Sequence, residues 1–340
     1  MLILMLPTKS KFDEYCKMGL VRSQTHNTLP LTIYNYTELA SFDRLWNGVT
    51  RMARGIVFDD KGRCIIRCIP KFFNSDEPTA LLETPKDESF RIFEKLDGSL
   101  IQVVNDQEYG LLITSKGSFT SDQAVWAAEI LDNIDYDFAL DTTYVFELIH
   151  PANRIVVDYG GEYRLVLLTA INNQTGQEFR QKTFVWHDTP QEYNLEDMTA
   201  IMSKDNFEGV VYLYESGYRT KVKTEEYVRL HRIMTGYSAK TIWESLKDKK
   251  PLDLKNMPEE FMKWFDNTKS GLEKAFAQID MEAQPWIEKA NSFELGSEIA
   301  EAIKDYEHKS IVWSALKGKD YSDYIWKQLK PKGNTNPFQD

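Results

Sequence analysis

Apolar residues up to about position 235 occur in short runs typical of β-strands, separated by turn residues. The runs around DDKG at 55–69 and around NDQEYG at 99–117 each predict a β-hairpin. Ser121 is placed to cap a helix that follows the second hairpin. Further strands are predicted at TYVFELI (143–149), RIVV (154–157), YRLVLLTAI (163–171), GVVYLY (209–214) and YRTKVKT (218–224).

The pattern changes at about residue 236 to longer amphipathic segments. Apolar residues then recur at helical spacing, as in Phe261, Trp264 and Phe265. We therefore predict an α+β protein with two domains. Residues 1–235 form antiparallel sheets flanked by helices, and residues 236–340 form an all-helical domain.

Composition limits the class of protein. The chain has 340 residues, 42% of them hydrophobic and 13% aromatic, which is typical of a folded globular protein. The longest apolar runs are far shorter than the roughly 18 residues of a membrane span, and the first run ends at Pro7 without a preceding basic segment. We expect a cytoplasmic protein without a membrane partner, in the host cytoplasm if the protein is viral.

The net charge is opposite to that of a protein that coats nucleic acid. The 41 basic and 52 acidic residues give a net charge of -11. An acidic enzyme can still concentrate positive charge at one phosphate site, so the charge excludes only extensive passive binding to nucleic acid.

The segment KLDGS at 95–99 carries the most specific signal. Lys95 precedes a tight turn in which Gly98 is expected to adopt a backbone angle that other residues avoid. Taken alone, this segment is more typical of an exposed hairpin turn. Its neighbours favour a functional site, because an ordered series of motifs surrounds it: ARGIVF (53–58), KFFN (71–74), SKGS (115–118), VFELI (145–149), EGVV (208–211) and KVK (221–223).

The KVK segment places two amines on one face of a predicted strand. Lys221 and Lys223 are two residues apart, so their side chains point the same way. We expect these two cations to lower the pKa of Lys95 below the ordinary lysine value of about 10.4. The structural alternative is a solvated edge strand protected against aggregation.

Two carboxylates lie within apolar strand segments. Glu147 in VFELI and Glu208 in FEGVV need partners, because an unpaired buried charge is costly. The partner is either a structural arginine or lysine, or a ligand.

The ordered motifs resemble the covalent nucleotidyltransferases, and RGIVF, KFFN and SKGS most resemble the bacteriophage RNA ligase 1 family. The resemblance implies an ATP-dependent RNA ligase that joins a 5′-phosphate to a 3′-hydroxyl through a lysyl-AMP at Lys95 and a 5′-adenylylated RNA. It implies phosphate contacts from Arg54 and Lys71, and a nucleotide contact from Tyr34. Core packing is an equally good interpretation of Tyr34.

Other roles follow from the same resemblance. Glu147 would bind a ribose hydroxyl and Glu208 a hydrated Mg²⁺ or Mn²⁺, with Asp253 near a further metal-associated position. Lys116 matches a family lysine that contacts either RNA or nucleotide phosphates. The expected partners are ATP, RNA and a separate end-healing kinase or phosphatase, and we expect a monomer.

Two alternatives use the same residues. A DNA ligase or an mRNA capping guanylyltransferase also carries the K-x-D-G pattern, but each normally continues into a small β-barrel, which the helical last third disfavours. A nucleotide-sensing or RNA-binding protein that has lost catalysis predicts the loss of Lys95, Glu208 or the lysine pair, and all of these are present.

Overall fold

The computed structural model describes residues 6–134, 136–179, 188–333 and 336. The chain divides into two compact units, Met1–Val228 and Arg229–Asp340. No helix of the described ranges is long and apolar enough to cross a bilayer.

Three sheets build the first unit. The first has the strand order β1-β2-β3-β4, the second β11-β10-β9-β7-β8 and the third β12-β6-β13-β14-β5. The strands are β1 Val21–Thr25, β2 Leu31–Tyr36, β3 Arg54–Asp59, β4 Cys64–Ile66, β5 Phe73–Asn74, β6 Phe90–Lys95, β7 Ser99–Asp106, β8 Gly110–Ser115, β9 Thr142–Ile149, β10 Arg164–Asn172, β11 Glu178–Phe179, β12 Glu192–Tyr193, β13 Gly209–Tyr214 and β14 Arg219–Lys223.

Neighbouring strands pair antiparallel, except for the parallel pair β14 and β5. The α+β class and its antiparallel sheets are thereby confirmed. Both hairpins predicted from the turn sequences are present, as β3–β4 and β7–β8.

The helices lie around the sheets and fill the C-terminal part. They are α1 Lys9–Lys17, α2 Glu38–Phe42, α3 Gly48–Met52, α4 Pro78–Glu83, α5 Asp122–Leu131, α6 Met198–Met202, α7 Glu225–Gly236, α8 Ala239–Asp248, α9 Glu259–Asn291, α10 Gly296–Ala302, α11 Lys309–Leu316 and α12 Ser322–Gln328. Ser121 caps α5, since its hydroxyl accepts from the amide of Ala124 at 3.3 Å. The amphipathic segment that contains Phe261, Trp264 and Phe265 lies in one long helix, α9, which continues to Asn291.

Strand β9 lies between β7 and β10 and is buried on both faces, which explains why TYVFELI is apolar throughout: Val145 packs with Ile69 and Ile171 on one face. Its Tyr144 and Phe146 pack with Ile101, Leu165 and Leu167 in a core that α5 covers. Burial of these side chains fixes the ends of β7 and β9, where the motif residues lie.

The KLDGS segment connects two sheets and is not a hairpin turn. Lys95 ends β6 in the third sheet, and Ser99 begins β7 in the second. Gly98 does not adopt a positive φ, contrary to the prediction. A side chain at this position would instead collide with the carbonyl oxygen of Leu148, so the glycine permits close approach of the segment to β9.

Candidate active site

Lys95 shares a carboxylate with a second lysine. Its Nζ lies 2.7 Å from Oε2 of Glu208, and the Nζ of Lys223 lies 2.9 Å from Oε1 of the same carboxylate. The strand register explains this geometry, because Gly209 of β13 pairs with Lys95 on one side and with Lys223 on the other. Glu208 precedes Gly209 and is 2% exposed, so its buried carboxylate is stabilised by these two ammonium groups.

The charge state of Lys95 differs from the expectation. Burial lowers the pKa of Lys95, but the carboxylates of Glu208 and Glu147 outweigh burial and raise it above the ordinary value. The prediction that the neighbouring lysines lower the pKa of Lys95 below its ordinary value is therefore wrong. In the same way, burial raises the pKa of Glu208, and Lys95 and Lys223 together bring it below its ordinary value. The resting site holds an ammonium next to a carboxylate.

Glu147 lies beside this pair on β9. Its Oε1 accepts from the backbone amide of Gly98 at 3.2 Å. The pKa of Glu147 is raised to about 7. Burial is the largest cause of this increase, Lys95 opposes it, and Glu208 and Asp97 add to it. A carboxyl group with a pKa near neutrality can exchange a proton at physiological pH.

Asp97 organises the segment after Lys95. Its Oδ2 accepts from the amides of Val156 and Val157 at 2.8 and 2.9 Å, and its Oδ1 accepts from the hydroxyl of Tyr227 at 2.6 Å. The strand predicted at RIVV is absent, because its amides donate to this carboxylate. The sequence pattern did not predict these contacts of Asp97 and Tyr227, although Asp97 is the aspartate of the K-x-D-G pattern.

Basic side chains continue from Lys223 to Lys221, Lys71 and Arg54. Burial is the largest cause that lowers the pKa of Lys221, and together with Lys71, Lys95 and Lys223 it brings this pKa to about 6. Burial also lowers the pKa of Lys71. The guanidinium of Arg54 donates to the carbonyl of Ile69 at 3.2 Å.

Most of these basic side chains, unlike Lys223, form no salt bridge within the described residues. In the described part of the chain, no carboxylate forms a salt bridge with Lys71, Arg54, Lys221 or Lys116. Clustered cations that lower one another's pKa favour the binding of an anion.

Lys116 and Tyr36 extend the cationic cluster. The Nζ of Lys116 lies 5.6 Å from the ring centroid of Tyr36. Burial raises the pKa of Tyr36, but Lys116, Lys71 and neighbouring arginines lower it below its ordinary value. A phenol surrounded by positive charge is a good hydrogen-bond donor to a phosphate.

Tyr34 lies elsewhere, although the resemblance implied that it contacts nucleotide. Its side chain is fully buried against Phe12 and Phe58, and its hydroxyl donates to Oδ1 of Asp13 at 2.6 Å. Tyr36 is the tyrosine on which these cations act. Both tyrosines lie on the same face of β2, as alternation predicts, and Tyr36 packs at the margin of the core cluster that buries Tyr34.

Asp253 belongs to the second unit. Its carboxylate accepts from Nη1 of Arg229 at 2.6 Å. Within the described residues, no group of three or more His, Cys, Asp or Glu side chains forms a metal site by itself.

The chain is similar to known proteins. A protein named as a bifunctional polynucleotide kinase/RNA ligase, from Autographa californica nuclear polyhedrosis virus, is 26% identical over 253 residues. The match covers 64% of this chain and 36% of that relative, so the chain spans about a third of the relative's length.

The fold also has a solved counterpart. An archaeal ATP-dependent RNA ligase aligns with a TM-score of 0.50 and 12% identity, covering 92% of this chain and 96% of that one. A family model described as RNA ligase, of the phage RNA ligase 1 type, matches residues 52–231, more than half of the 340 residues. The chain belongs to the phage RNA ligase 1 family.

Proposed function

We propose that the protein is an ATP-dependent RNA ligase that joins 5′-phosphate and 3′-hydroxyl RNA ends. One observation carries the proposal: the amine of Lys95 lies at one end of a cluster of basic side chains, four of which (Arg54, Lys71, Lys116 and Lys221) form no salt bridge with a carboxylate of the described residues. A triphosphate supplies the missing anion. Its α-phosphorus would lie next to Lys95, and the leaving pyrophosphate would lie along Lys71 and Arg54.

In the proposed first step, Nζ of Lys95 forms a bond to the α-phosphorus of ATP. The bond from this phosphorus to the bridging oxygen breaks, and its electron pair leaves with pyrophosphate. The amine must lose its proton, and Glu147 is the proposed acceptor because its pKa lies near neutrality. Lys221 and Lys223 would stabilise the charge that develops on the phosphate oxygens.

The proposed divalent metal fits one carboxylate of the site. Both oxygens of Glu208 already face cationic groups, so this carboxylate is ionised and arranged for positive partners. Mg²⁺ (or Mn²⁺) is commonly held by one or two carboxylates, waters and substrate phosphates, and would neutralise phosphate charge here. Glu208 is the proposed ligand in the first unit, and Asp253 remains a proposed metal-associated residue of the second.

The remaining proposed contacts follow the positions of the side chains. Glu147 would also meet a ribose hydroxyl, Lys116 would bind nucleotide phosphates, and Tyr36 would replace Tyr34 as the tyrosine that contacts them. The helices from α8 to α12 do not favour the β-barrel continuation of DNA ligases and capping enzymes.

The proposed partners are RNA and an end-healing enzyme. The name of the viral relative joins a polynucleotide kinase to an RNA ligase, and a kinase supplies the 5′-phosphate that sealing requires. We propose that the protein acts as a monomer, since the residues assigned to the first step all belong to one chain. The proposed location is the cytoplasm.

The test uses Lys95→Ala and ATP labelled at the α-phosphate. The wild-type protein is expected to become labelled in the presence of Mg²⁺ and to lose labelling when the metal is chelated. Lys95→Ala is expected to form no adduct but to seal RNA that already carries a 5′-adenylate, since that step needs no lysine nucleophile. Labelling of the alanine variant would overturn the assignment of Lys95.

A further inference from the structure

A row of three polar residues crosses the first sheet next to the cationic cluster. Asn35 of β2 pairs with Arg22 of β1 on one side and with Arg54 of β3 on the other. Directly paired residues of neighbouring strands project to the same face of a sheet. Arg22 and Asn35 pair in regular register and therefore share a face, and Arg54 lies on the other side of Asn35, next to the register shift between β2 and β3.

The phenol of Tyr36 connects Arg22 to the same cluster. The positive groups that act on this phenol are, in decreasing order, Lys116, Lys71, Arg54 and Arg22. Lys71 and Arg54 also act on Lys221, which is beside Lys95. The cations thus form a continuous series, with Lys95 and Lys221 at one end and Lys116 and Arg22 at the other.

The SKGS turn brings the last two cations together. A side chain at Gly117 would contact the amide nitrogen of Asn35 at 3.2 Å and Nη2 of Arg22 at 3.7 Å. The absence of that side chain lets the turn, which carries Lys116, lie against Arg22 and Asn35. Arg22 is exposed, and no carboxylate of the described ranges forms a salt bridge with it.

We propose that Arg22 binds the terminal phosphate of the nucleotide and makes the site selective for a triphosphate over a diphosphate. The inference rests on the proposed function, because that function places the α-phosphate at Lys95. The remaining phosphates then follow the series of cations toward Arg22. A guanidinium suits this position, since its planar fork donates two hydrogen bonds to the oxygens of one phosphate.

A diphosphate lacks the group that reaches Arg22. The same attack by Lys95 on ADP would release inorganic phosphate instead of pyrophosphate, so chemistry alone does not exclude ADP. Arg22 would contribute to the discrimination because its hydrogen bonds are made only when the third phosphate is present.

The experiment compares wild type, Arg22→Ala, Arg22→Lys and the control Arg91→Ala. Arg91 lies in the third sheet and pairs with Glu192. The rate of Lys95 labelling is measured against ATP and ADP concentration, and binding of inorganic tripolyphosphate and pyrophosphate is measured by calorimetry. Arg22→Ala is expected to weaken tripolyphosphate binding and to raise the KM for ATP by about 10- to 100-fold, the range for one charge-assisted contact.

The other measurements distinguish weaker binding of the third phosphate from a general loss of folding or activity. Arg22→Ala is expected to leave pyrophosphate binding, labelling by ADP and sealing of pre-adenylylated RNA unchanged, so the preference for ATP over ADP falls. Arg22→Lys is expected to retain part of the wild-type affinity for tripolyphosphate. Arg91→Ala is expected to retain all of it. An unchanged preference, or an equal loss for ATP and ADP, would overturn the role of Arg22.

Failure of the proposed function gives a different result. If wild type forms no adduct with any nucleotide, the function fails, whereas tripolyphosphate binding still reports on Arg22. If tripolyphosphate binds wild type and Arg22→Ala equally, the inference about Arg22 fails whatever the labelling result.

Discussion

Two lysines of one strand have different partners, and their charge follows from those partners. Lys223 pairs with the ionised carboxylate of Glu208, whereas Lys221 faces Lys71, Lys95 and Arg54 and has a pKa lowered to about 6. Most of the Lys221 side chains are therefore neutral at pH 7.5. A phosphate next to Lys221 favours the ammonium form, so nucleotide binding and protonation are coupled.

This coupling gives a prediction about pH. Because Lys221 takes up a proton when ATP binds, the affinity for ATP is expected to fall as the pH rises above about 6, with uptake that approaches about one proton per ATP. Calorimetry in buffers of different ionisation enthalpy measures the uptake. Lys221→Arg remains charged at every pH tested and is expected to reduce the uptake and flatten the dependence. Equal uptake by wild type and Lys221→Arg would contradict the coupling.

Glu147 adds a second pH effect, on stability. Its folded-state pKa of about 7 exceeds the ordinary value, so the folded protein holds this proton more tightly than the unfolded chain. The stabilising contribution is fully present below the ordinary carboxyl pKa and is lost as the pH rises through about 7.

Glu147→Gln is expected to remove this loss, because the amide carries no charge and its oxygen can still accept from Gly98. Thermal unfolding at pH 5 and pH 8 measures the effect. The Tm of the variant minus the Tm of wild type is expected to be larger at pH 8 than at pH 5. A difference that is independent of pH would show that Glu147 ionises normally in the folded protein.

At the scale of elements, the site depends on how closely the connection from β6 to β7 approaches β9. Asp97 binds two backbone amides and a tyrosine hydroxyl, which holds the connection on one side. Gly98 allows the other side to lie against Leu148 and Glu147. The position of Lys95 relative to Glu147 is therefore set by backbone packing.

Gly98→Ala tests this packing. The added methyl group would collide with the carbonyl of Leu148, so β9 or the connection must move, and overpacking of this kind costs about 1 to 3 kcal/mol. We expect a lower free energy of unfolding and much slower labelling of Lys95. Gly48→Ala is the matched control, since Gly48 also lacks a positive φ and has open space around its Cα. Equal effects of the two substitutions would argue against the packing role.

At the scale of the whole molecule, the residues proposed for the first chemical step lie in Met1–Val228. The second unit has its own core, in which Ala283, Ile303 and Ile311 are buried. Exposed lysines lie near its C-terminal helix, at Lys327, Lys330 and Lys332. We propose that this unit selects the RNA through salt-sensitive contacts, in addition to packing its own helices.

A shortened protein that ends near residue 240, after α7, tests the division of labour. It is expected to label Lys95 at a rate close to that of the full chain, because the assigned residues are retained. Its sealing of single-stranded, nicked-duplex and cleaved-tRNA substrates is expected to be weaker and less selective. Circular dichroism provides the control for folding. An unchanged substrate preference would place RNA selection in the first unit.

The local sequence determined much of the architecture and which residue types meet at the site. Turn sequences and alternation predicted the hairpins β3–β4 and β7–β8, and the motif order identified Lys95, Glu208 and Lys223, which the structure brings together. These features depend on backbone preferences and on side-chain periodicity between near neighbours.

Only the tertiary structure decided what surrounds each group. It placed Tyr36 among the cations and Tyr34 in the core, and it turned the amides of the predicted RIVV strand toward Asp97. It also raised the pKa of Lys95 and lowered that of Lys221. Burial and charge act through space between residues far apart in the chain, so the sequence pattern showed which groups are present and the fold determined their protonation.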